Sequence, residues 1–187
     1  FVTVFCALGT WQLYRLQWKL EIINEITLGL NSSPIEYSNS IKKNYQRVII
    51  VGKFNYDKQI YLYSLSESGK PGYDVITPFM TNKNENVLIN RGWINKELKG
   101  KPSINFKKGS QQKIVGLLRK IYKPNIFKPE NDVKNNVWFS INLKDLKKLT
   151  GIQFSKFVIF LENDQVKTPL PKKISIDVPN NHLKYAI

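Results

Sequence analysis

Val87–Ile94 (VLINRGWI) is the stretch that decides the fold class of this chain. Its residues alternate between two faces, as they do in a β-strand, where successive side chains point in opposite directions. Gly92 lies between a large cation and a large aromatic residue, and a glycine inside a strand marks a bulge or a close backbone approach. The stretch therefore predicts a strand that bends at Gly92. One face carries Val87, Ile89, Arg91 and Trp93, and the other carries Leu88, Asn90 and Ile94.

Six further segments on either side of this strand are rich in β-branched and aromatic residues and are separated by Gly, Pro, Asn or Lys turns. They are Tyr45–Phe54, Gln59–Leu65, Tyr73–Met80, Lys113–Ile121, Val137–Ile141 and Phe157–Glu162. Short strands at nearly regular spacing predict an antiparallel barrel or sandwich. One short helix interrupts them at Leu143–Leu149, with Asn142 as its N-terminal cap and Gly151 at its end. A Pro- and Lys-rich segment, Lys167–Pro179, is predicted to be extended.

Before the strands, Ala7–Leu30 predicts a long helix that the polar run Asn31–Pro34 ends. Gln12, Arg15 and Lys19 follow one another at spacings of three and four residues, which gives a polar stripe on an otherwise apolar surface. Trp11, Tyr14 and Trp18 flank this stripe. Aromatic rings beside cations, directly after an apolar segment, are typical of a membrane interface.

Both ends of the chain have the composition of a hydrophobic segment that meets a polar domain. Phe1–Leu8 is almost wholly apolar, and apolar residues begin to accumulate again in Asn180–Ile187. At about 1.5 Å per residue, eight helical residues reach roughly 12 Å, against ~30 Å for a bilayer core. We therefore expect residues 1–10 to be the end of one transmembrane helix and residues 180–187 the start of a second. Residues 11–179 would form an extracytoplasmic β-rich domain; the alternative is a soluble domain with a buried N-terminal helix.

The formal net charge of +15 comes from 25 lysines and only 4 arginines against 14 carboxylates. The lysines are scattered, and arginine is the better residue for phosphate or base recognition, so the charge is interpreted as a solvated basic surface. In a chain that uses lysine so freely, the arginines that remain indicate positions where a planar guanidinium is needed. They are Arg15, Arg47, Arg91 and Arg119.

Several function classes lack the residues they need. With one Cys (Cys6), one Met (Met80) and one His (His182), the chain can form no internal disulfide, no Cys-based zinc site and no clustered soft copper site. It contains neither a Walker loop nor a Gly-x-Gly dinucleotide fingerprint. Acidic residues such as Asp74 and Glu162 could pair, but nothing in their spacing requires a catalytic pair. An enzyme is therefore not the favoured interpretation.

Five blocks, in order along the chain, resemble the surfeit locus protein 1 family, whose members are cytochrome c oxidase assembly proteins. These blocks are Leu8–Lys19, Gly72–Phe79, Val87–Ile94, Gly116–Arg119 and Asn180–Ala186. The motif residues to which the resemblance gives a structural role are Gly9, Trp11, Gln12, Gly72, Tyr73, Pro78, Asn90, Arg91, Gly92, Trp93 and Tyr185. The lysine and asparagine substitutions between the blocks should matter little to the fold.

The pattern of strands and helices predicts an α+β fold of mostly antiparallel strands. In this fold a barrel-like sheet with a long N-terminal helix and one short helix lies between two clipped transmembrane helices. The resemblance implies a two-helix protein of the bacterial inner membrane with its domain in the periplasm, or of the mitochondrial inner membrane in a eukaryote. Its partners would be membrane lipid, subunit I of the oxidase and other assembly factors, and not nucleic acid. Its role would be to place haem a in subunit I or to stabilise that subunit.

Two residues are candidates for haem itself. His182 is the only histidine that could be an axial ligand of the iron, although a histidine at a membrane boundary also serves as a polar anchor or a cap. Arg15 could pair with a haem propionate. We expect the His182 end and the Ala7–Leu30 helix to be adjacent. We also expect Arg91 to bind main-chain carbonyls or a carboxylate of the Gly72–Pro78 segment and Trp93 to be core; the alternative is that these two residues form a patch that docks a partner.

A competing hypothesis is a basic, OB-like barrel that binds nucleic acid, for which the charge, the aromatic residues and the strands would all serve. That hypothesis leaves the two apolar ends unexplained. A membrane-anchored hydrolase, the third class, lacks a nucleophile–base pair.

Overall fold

The computed structural model describes residues 1–101, 109–124, 127–162 and 169–172. Two helices and seven strands form within these residues. The helices are α1 (Val2–Asn31) and α2 (Leu143–Thr150). The strands are β1 (Ile35–Glu36), β2 (Arg47–Phe54), β3 (Ile60–Leu65), β4 (Pro71–Thr81), β5 (Asn86–Asn95), β6 (Gln112–Lys120) and β7 (Phe157–Leu161), with short 3-10 turns at Tyr56–Lys58 and Lys96–Leu98.

The seven strands form one mixed sheet in the order β1-β2-β6-β7-β5-β4-β3. Most neighbours are antiparallel, but β5 and β7 run parallel, as do β1 and β2. Three residues at the end of β2 also pair with β4, so the two halves of the sheet touch directly. Strands β4 and β5 share the longest ladder of the sheet, which brings the two most motif-rich strands side by side.

The predicted fold class needs correction. The sheet is mixed, with two parallel pairs, and is not the predicted antiparallel barrel. Among the described residues, no helix combines the length and the apolar character that crossing a bilayer requires, so the two transmembrane helices are not borne out. Polar residues such as Gln12, Arg15 and Gln17 lower the mean hydropathy of α1. Asn180–Ile187, with His182 and Tyr185, lies outside the described residues, and so does most of Lys167–Pro179.

The individual helices and strands agree more closely with the elements predicted from the sequence. Six of the seven predicted strands are present with bounds shifted by a few residues. Val137–Ile141 is not a strand, because Trp138 forms only an isolated bridge to Leu62 of β3. Helix α2 is confirmed: the Asn142 side chain accepts a hydrogen bond from the Lys144 N–H at 3.0 Å, and Gly151 ends the helix with φ 72°. Strand β1 was missed, since two residues carry no periodicity.

The core of the described residues has two large parts, on opposite faces of β5, and a small third part made of Tyr61, Val75 and Ile94. One part lies between the two halves of the sheet and contains Val48, Ile50, Phe79, Val87, Ile89, Ile114, Leu118 and Ile159. The other lies under α2 and contains Ile60, Ile76, Leu88, Trp138, Leu146, Phe154, Val158 and Phe160. Strand β5 contributes to both, and every residue from Val87 to Ile94 is buried. Polar side chains of β5 therefore have to find their partners inside the protein.

The two halves of α1 differ in burial. Residues 1–18 are all exposed, whereas Lys19 and Ile22 are half-buried and Ile26 and Gly29 are buried. Spacings of three and four residues place these four side chains on one face, so the second half of the helix packs on the domain with that face. The exposed half presents a large apolar surface, made of Phe1, Val2, Val4, Phe5, Leu8, Trp11, Leu13, Tyr14, Leu16 and Trp18.

A polar clamp holds the end of α1 against the sheet. Arg47, at the start of β2, donates through Nε and Nη2 to the two carboxylate oxygens of Glu162 at 3.0 and 2.7 Å. Its Nη1 donates to the main-chain oxygen of Ser32, the residue that ends the helix, at 3.1 Å. The hydrogen bond with Glu162 raises the pKa of Arg47 above its usual value. Lysine could not make these three directed bonds at once.

We predict that Gly29→Ala destabilises the protein although alanine favours helices. An ideal Cβ at position 29 would lie 1.9 Å from the main-chain oxygen of Tyr45, so either the helix or the start of β2 has to move. The expected loss of unfolding free energy is about 2 kcal/mol, as for other overpacked sites. Chemical denaturation of the variant and the parent measures it.

Gly9→Ala is the matched control in the same helix. A Cβ there meets nothing within 4 Å, so the change should stabilise the helix by about 0.5–1 kcal/mol. Equal effects of the two substitutions would show that the contact between α1 and Tyr45 does not hold the helix in place.

Candidate functional site

The two central sequence blocks meet on neighbouring strands. In the ladder between β4 and β5, Gly72 lies opposite Asn95, Asp74 opposite Trp93, and Ile76 opposite Asn90. Trp93 is 8% exposed, and its ring lies against Gly72, where an ideal Cβ would be 2.4 Å from ring atom Cζ2. The Trp93 Nε1–H donates to the main-chain oxygen of Ser64 on β3 at 3.2 Å. Gly72 thus leaves the space that a buried tryptophan fills.

Gly92 forms a bulge at the centre of this site. Between the pairs Asp74–Trp93 and Ile76–Asn90, two residues of β5 lie opposite the single residue Val75 of β4. Gly92 has φ 121°, a region that side-chain-bearing residues rarely occupy. An ideal Cβ there would lie 2.2 Å from the main-chain oxygen of Leu170. Both features expected of this glycine, the bulge and the close approach, are therefore present.

A short segment from late in the chain, Pro169–Lys172, pairs with the strand at this bulge and is here called the strap. Trp93 and Leu170 exchange two main-chain hydrogen bonds, each of 2.8 Å. Lys172 then places its Nζ 2.9 and 3.0 Å from the two carboxylate oxygens of Asp74, and it also contacts the Ser64 hydroxyl. A peptide ladder and an ion pair thus hold the strap across the ends of β3, β4 and β5.

Asp74 and Asn90 form the buried polar centre under the strap. Asp74 is 4% exposed and Asn90 is 2% exposed. The Asn90 Nδ2 donates to Asp74 at 3.2 Å, and the Asn90 Oδ1 accepts from the Gly92 N–H at 2.9 Å. Asn90 therefore joins the carboxylate to the bulge. Because both ends of its amide are used, neither Asp nor Leu could replace it without loss of a bond.

Arg91 is buried beside this centre, with 3% exposure. Its Nη1 donates to Gln59 Oε1 at 2.9 Å, and Thr77 of β4 donates to the same oxygen at 2.9 Å. Gln59 thus links Arg91 to Thr77 of the Gly72–Pro78 segment, where we expected a direct bond to a main-chain carbonyl or a carboxylate of that segment. The guanidinium also lies 5.0 Å from the centre of the Tyr56 ring. Burial lowers the pKa of Arg91, and the nearby Tyr56 and Tyr61 partly oppose that shift.

The predicted site residues of the N-terminal block lie apart from this centre. Gly9, Trp11, Gln12 and Arg15 are all on the exposed half of α1. The Arg15 guanidinium carbon is 5.1 Å from the centre of the Trp11 ring, so the cation stacks on its neighbour one turn away. The structure therefore divides the predicted residues into a buried cluster around Gly92 and an exposed stripe on α1.

Some of the residues that hold the site together carried no sequence signal. Leu170 contacts Trp93 from 77 positions away and Lys172 contacts Asp74 from 98 positions away, and such pairs have no fixed spacing. Glu162 was noted only as a possible member of a carboxylate pair, and it binds Arg47 instead. The scarcity of arginine was the one signal that pointed to this clamp.

The described residues offer little of what a haem site needs. His182 lies outside them, and Arg15 is an exposed cation that could face a propionate. Two of the surface cavities have volumes of about 320 and 310 Å³, and Arg15 lines neither of them. The described part of the chain holds no group of three or more His, Cys, Asp or Glu side chains that could bind a metal ion. Of the two residues predicted to bind haem, Arg15 is thus the one that the structure describes.

Comparison with known proteins assigns the whole length of the chain to one family. A family model described as the SURF1 family matches residues 1–187. The chain belongs to the SURF1 family. Among its relatives, a SURF1-like protein of Rickettsia conorii is 34% identical over 196 residues, which cover 99% of this chain and 80% of that protein.

Relatives of the SURF1 family extend to animals. Surfeit locus protein 1 of Takifugu rubripes is 28% identical over 97% of this chain and 84% of that protein. Surfeit locus protein 1 of Homo sapiens is 27% identical over the whole chain and 69% of that protein. The SURF1 family is known for cytochrome c oxidase assembly and consists of membrane-associated assembly factors of bacteria and mitochondria, not of enzymes.

We predict that Gly92→Ala disrupts the strap. Alanine would be strained at φ 121°, and its methyl group would collide with the Leu170 oxygen, so we expect a loss of about 3 kcal/mol of unfolding free energy. Limited proteolysis should also cut the variant faster near Leu170.

Gly69→Ala is the control, because Gly69 also has positive φ, 78°, but has nothing within 4 Å of an ideal Cβ. It should cost only the conformational strain, about 1–2 kcal/mol. If both variants lose the same stability and both resist proteolysis at Leu170, the close approach is not what requires Gly92.

A second prediction concerns the ion pair under the strap. Lys172→Met leaves the buried Asp74 carboxylate with one fewer donor, and we expect a loss of about 2 kcal/mol. Asp74→Asn alone should also destabilise. In the double variant the costs should not add, with a coupling of about 1 kcal/mol or more from a double-mutant cycle. Strict additivity would mean that the two side chains do not interact in solution.

Proposed function

We propose that this protein assists the assembly of cytochrome c oxidase at a membrane, by helping haem a enter subunit I or by stabilising that subunit before haem arrives. In a bacterium, its β-rich domain would face the periplasm; in a eukaryote, the protein would belong to the mitochondrial inner membrane. It would act by binding and not by catalysing a reaction of its own. Family membership along the whole chain supports the general role.

The exposed half of α1 is the observation that carries the membrane part of the proposal. Monomeric proteins rarely leave a contiguous apolar surface of this extent in water, and such surfaces mark contacts with a membrane or a protein partner. Trp11 and Trp18 are 49% and 55% exposed, and both lie beside Arg15 or Lys19. This arrangement suits the boundary between headgroups and acyl chains, where amphipathic rings are enriched.

The haem part of the proposal depends on two residues. His182 would be an axial ligand of the iron, as histidine commonly is, and Arg15 would pair with a propionate. The described contact of Arg15 with Trp11 leaves its guanidinium on the exposed surface of the helix, which a propionate requires. The same chemistry does not arise in the buried cluster around Gly92, whose cations face Asp74 and Gln59.

Nucleic-acid binding is less well supported. The lysines are scattered along the chain, and Arg47 and Arg91 bind Glu162 and Gln59. A protein that binds bases or phosphates would be expected to leave its arginine side chains accessible.

Complementation tests the proposal. A bacterial strain without its own member of the family would receive the parent chain, His182→Ala, Arg15→Lys or Arg15→Gln within the full-length protein. We expect the parent to restore oxidase activity and the haem a absorption of the membranes. His182→Ala should restore neither, while its purified domain unfolds at the same temperature as the parent. Arg15→Lys should lose less activity than Arg15→Gln, since lysine keeps the charge.

Three results would change this view. Failure of the parent chain to restore oxidase, where a Rickettsia relative restores it, would refute the assembly role. Full activity of His182→Ala would eliminate axial ligation by this residue and leave stabilisation of subunit I. Equal activity of the two Arg15 variants would remove the propionate contact.

A further inference from the structure

The polar stripe of α1 points toward the domain and not away from it. Arg15 lies four residues before Lys19 and seven before Ile22, and Gln12 lies seven before Lys19, so these residues share a helix face. Lys19 and Ile22 are half-buried, and Gly29, farther along the same face, touches Tyr45. Arg15 therefore overhangs the edge of the domain, about 21 Å along the helix axis from Gly29.

A group of lysines surrounds the point where α1 meets the domain. Lys42 and Lys43 are exposed and precede Tyr45 by three and two residues, which is within about 11 Å along the chain. The exposed Lys120 is joined to the same loop, because its N–H donates to the Asn44 Oδ1 at 2.9 Å. The domain thus carries three cations near the end of α1 that packs against it.

The charge of this junction is strongly unbalanced. It contains five cations, three on the domain and two on α1, and the same helix carries two carboxylates, Glu21 and Glu25. None of the three lysines is among the described ion pairs. A surplus of three positive charges at the base of an exposed apolar helix is the charge pattern that binds an anionic surface.

We propose that this junction, made of Arg15, Lys19, Lys42, Lys43 and Lys120, binds the headgroups of anionic phospholipids. The proposal rests on the membrane association proposed above and adds the chemistry of the lipid. The apolar half of α1 would lie in the acyl region, and the cations on the adjoining face would contact phosphates. Lysine suits this task, because a flexible point charge can follow mobile headgroups that offer no fixed geometry for a guanidinium fork.

The lysines of the domain would lie close enough to the lipid headgroups to attract them electrostatically. The last fully exposed residue of α1, Trp18, is about 16 Å along the axis from Gly29, and the headgroup region occupies several ångströms of that distance. The remaining gap is comparable to the Debye length of about 8 Å at physiological salt. Binding should therefore weaken as salt rises.

Vesicle co-sedimentation of the whole chain tests the proposal. The probes are vesicles of phosphatidylcholine alone and vesicles of equal parts phosphatidylcholine and phosphatidylglycerol. We expect tighter binding to the anionic vesicles, with the difference lost at high salt. Lys42→Gln/Lys43→Gln/Lys120→Gln should bind anionic vesicles less tightly by a factor on the order of a hundred, since each of the three cations contributes about fivefold near the surface.

The matched control is Lys70→Gln/Lys101→Gln/Lys134→Gln, which removes the same charge elsewhere. Lys70 precedes β4, Lys101 follows the turn after β5, and Lys134 adjoins Asn135, whose oxygen accepts from Lys99 of that turn. All three are exposed and lie toward the Trp93 end of β5, whereas the ladders place Tyr45 level with Leu88. This variant should bind anionic vesicles as the parent does, within about twofold.

Each outcome decides the proposal. Equal losses in both variants would mean that overall charge, and not this junction, attracts the lipid. Equal binding of the parent to neutral and anionic vesicles would overturn the proposal and leave membrane association intact. If the junction variant instead loses binding to duplex DNA and keeps vesicle binding, the lysines serve nucleic acid. Oxidase complementation is independent of all these results, so the failure of one proposal does not imply the failure of the other.

Discussion

Burial of β5 on both faces is the constraint on which the rest of the site depends. A strand that contributes to two cores cannot send its polar side chains to water, so Asn90 and Arg91 need partners within the protein. Asn90 finds Asp74 and the Gly92 N–H, and Arg91 finds Gln59 and the Tyr56 ring. The Asn-Arg-Gly-Trp run is therefore explained by packing and hydrogen bonding, without any contact to a ligand.

The arginines show how far this explanation extends. In a chain with 25 lysines, each of the 4 arginines makes a contact that depends on a planar cation. Arg47 forms a two-pronged bond with Glu162, while the others stack on aromatic rings: Arg15 on Trp11, Arg91 on Tyr56 and Arg119 on Phe160. Three of these contacts stabilise the domain. Arg15 and Arg119 are both exposed, but Arg15 lies on the exposed apolar half of α1, which is why it belongs to the proposed function.

The division of α1 connects the fold to the proposed membrane contact. Its second half is fixed to the domain by Gly29 against Tyr45 and by the Arg47 clamp at Ser32, while residues 1–18 stay exposed. A helix held at one end presents its other half in a defined direction relative to the sheet. The apolar side chains and the stripe that contains Arg15 are thereby presented together, which a flexible tail would not achieve.

The sequence by itself determined the local elements and the family. Alternation and turn residues located six strands, Asn142 and Gly151 bounded α2, and the position of Gly92 between Arg91 and Trp93 indicated a bulge. Only the tertiary structure decided the parallel pairing of β5 with β7, the strap over Trp93 and the bonds from Lys172 to Asp74. Local patterns report which face of an element is apolar, and they do so within a few residues. Partners that are distant in the sequence are chosen by packing of the whole chain, because many pairings would satisfy the same local pattern equally well.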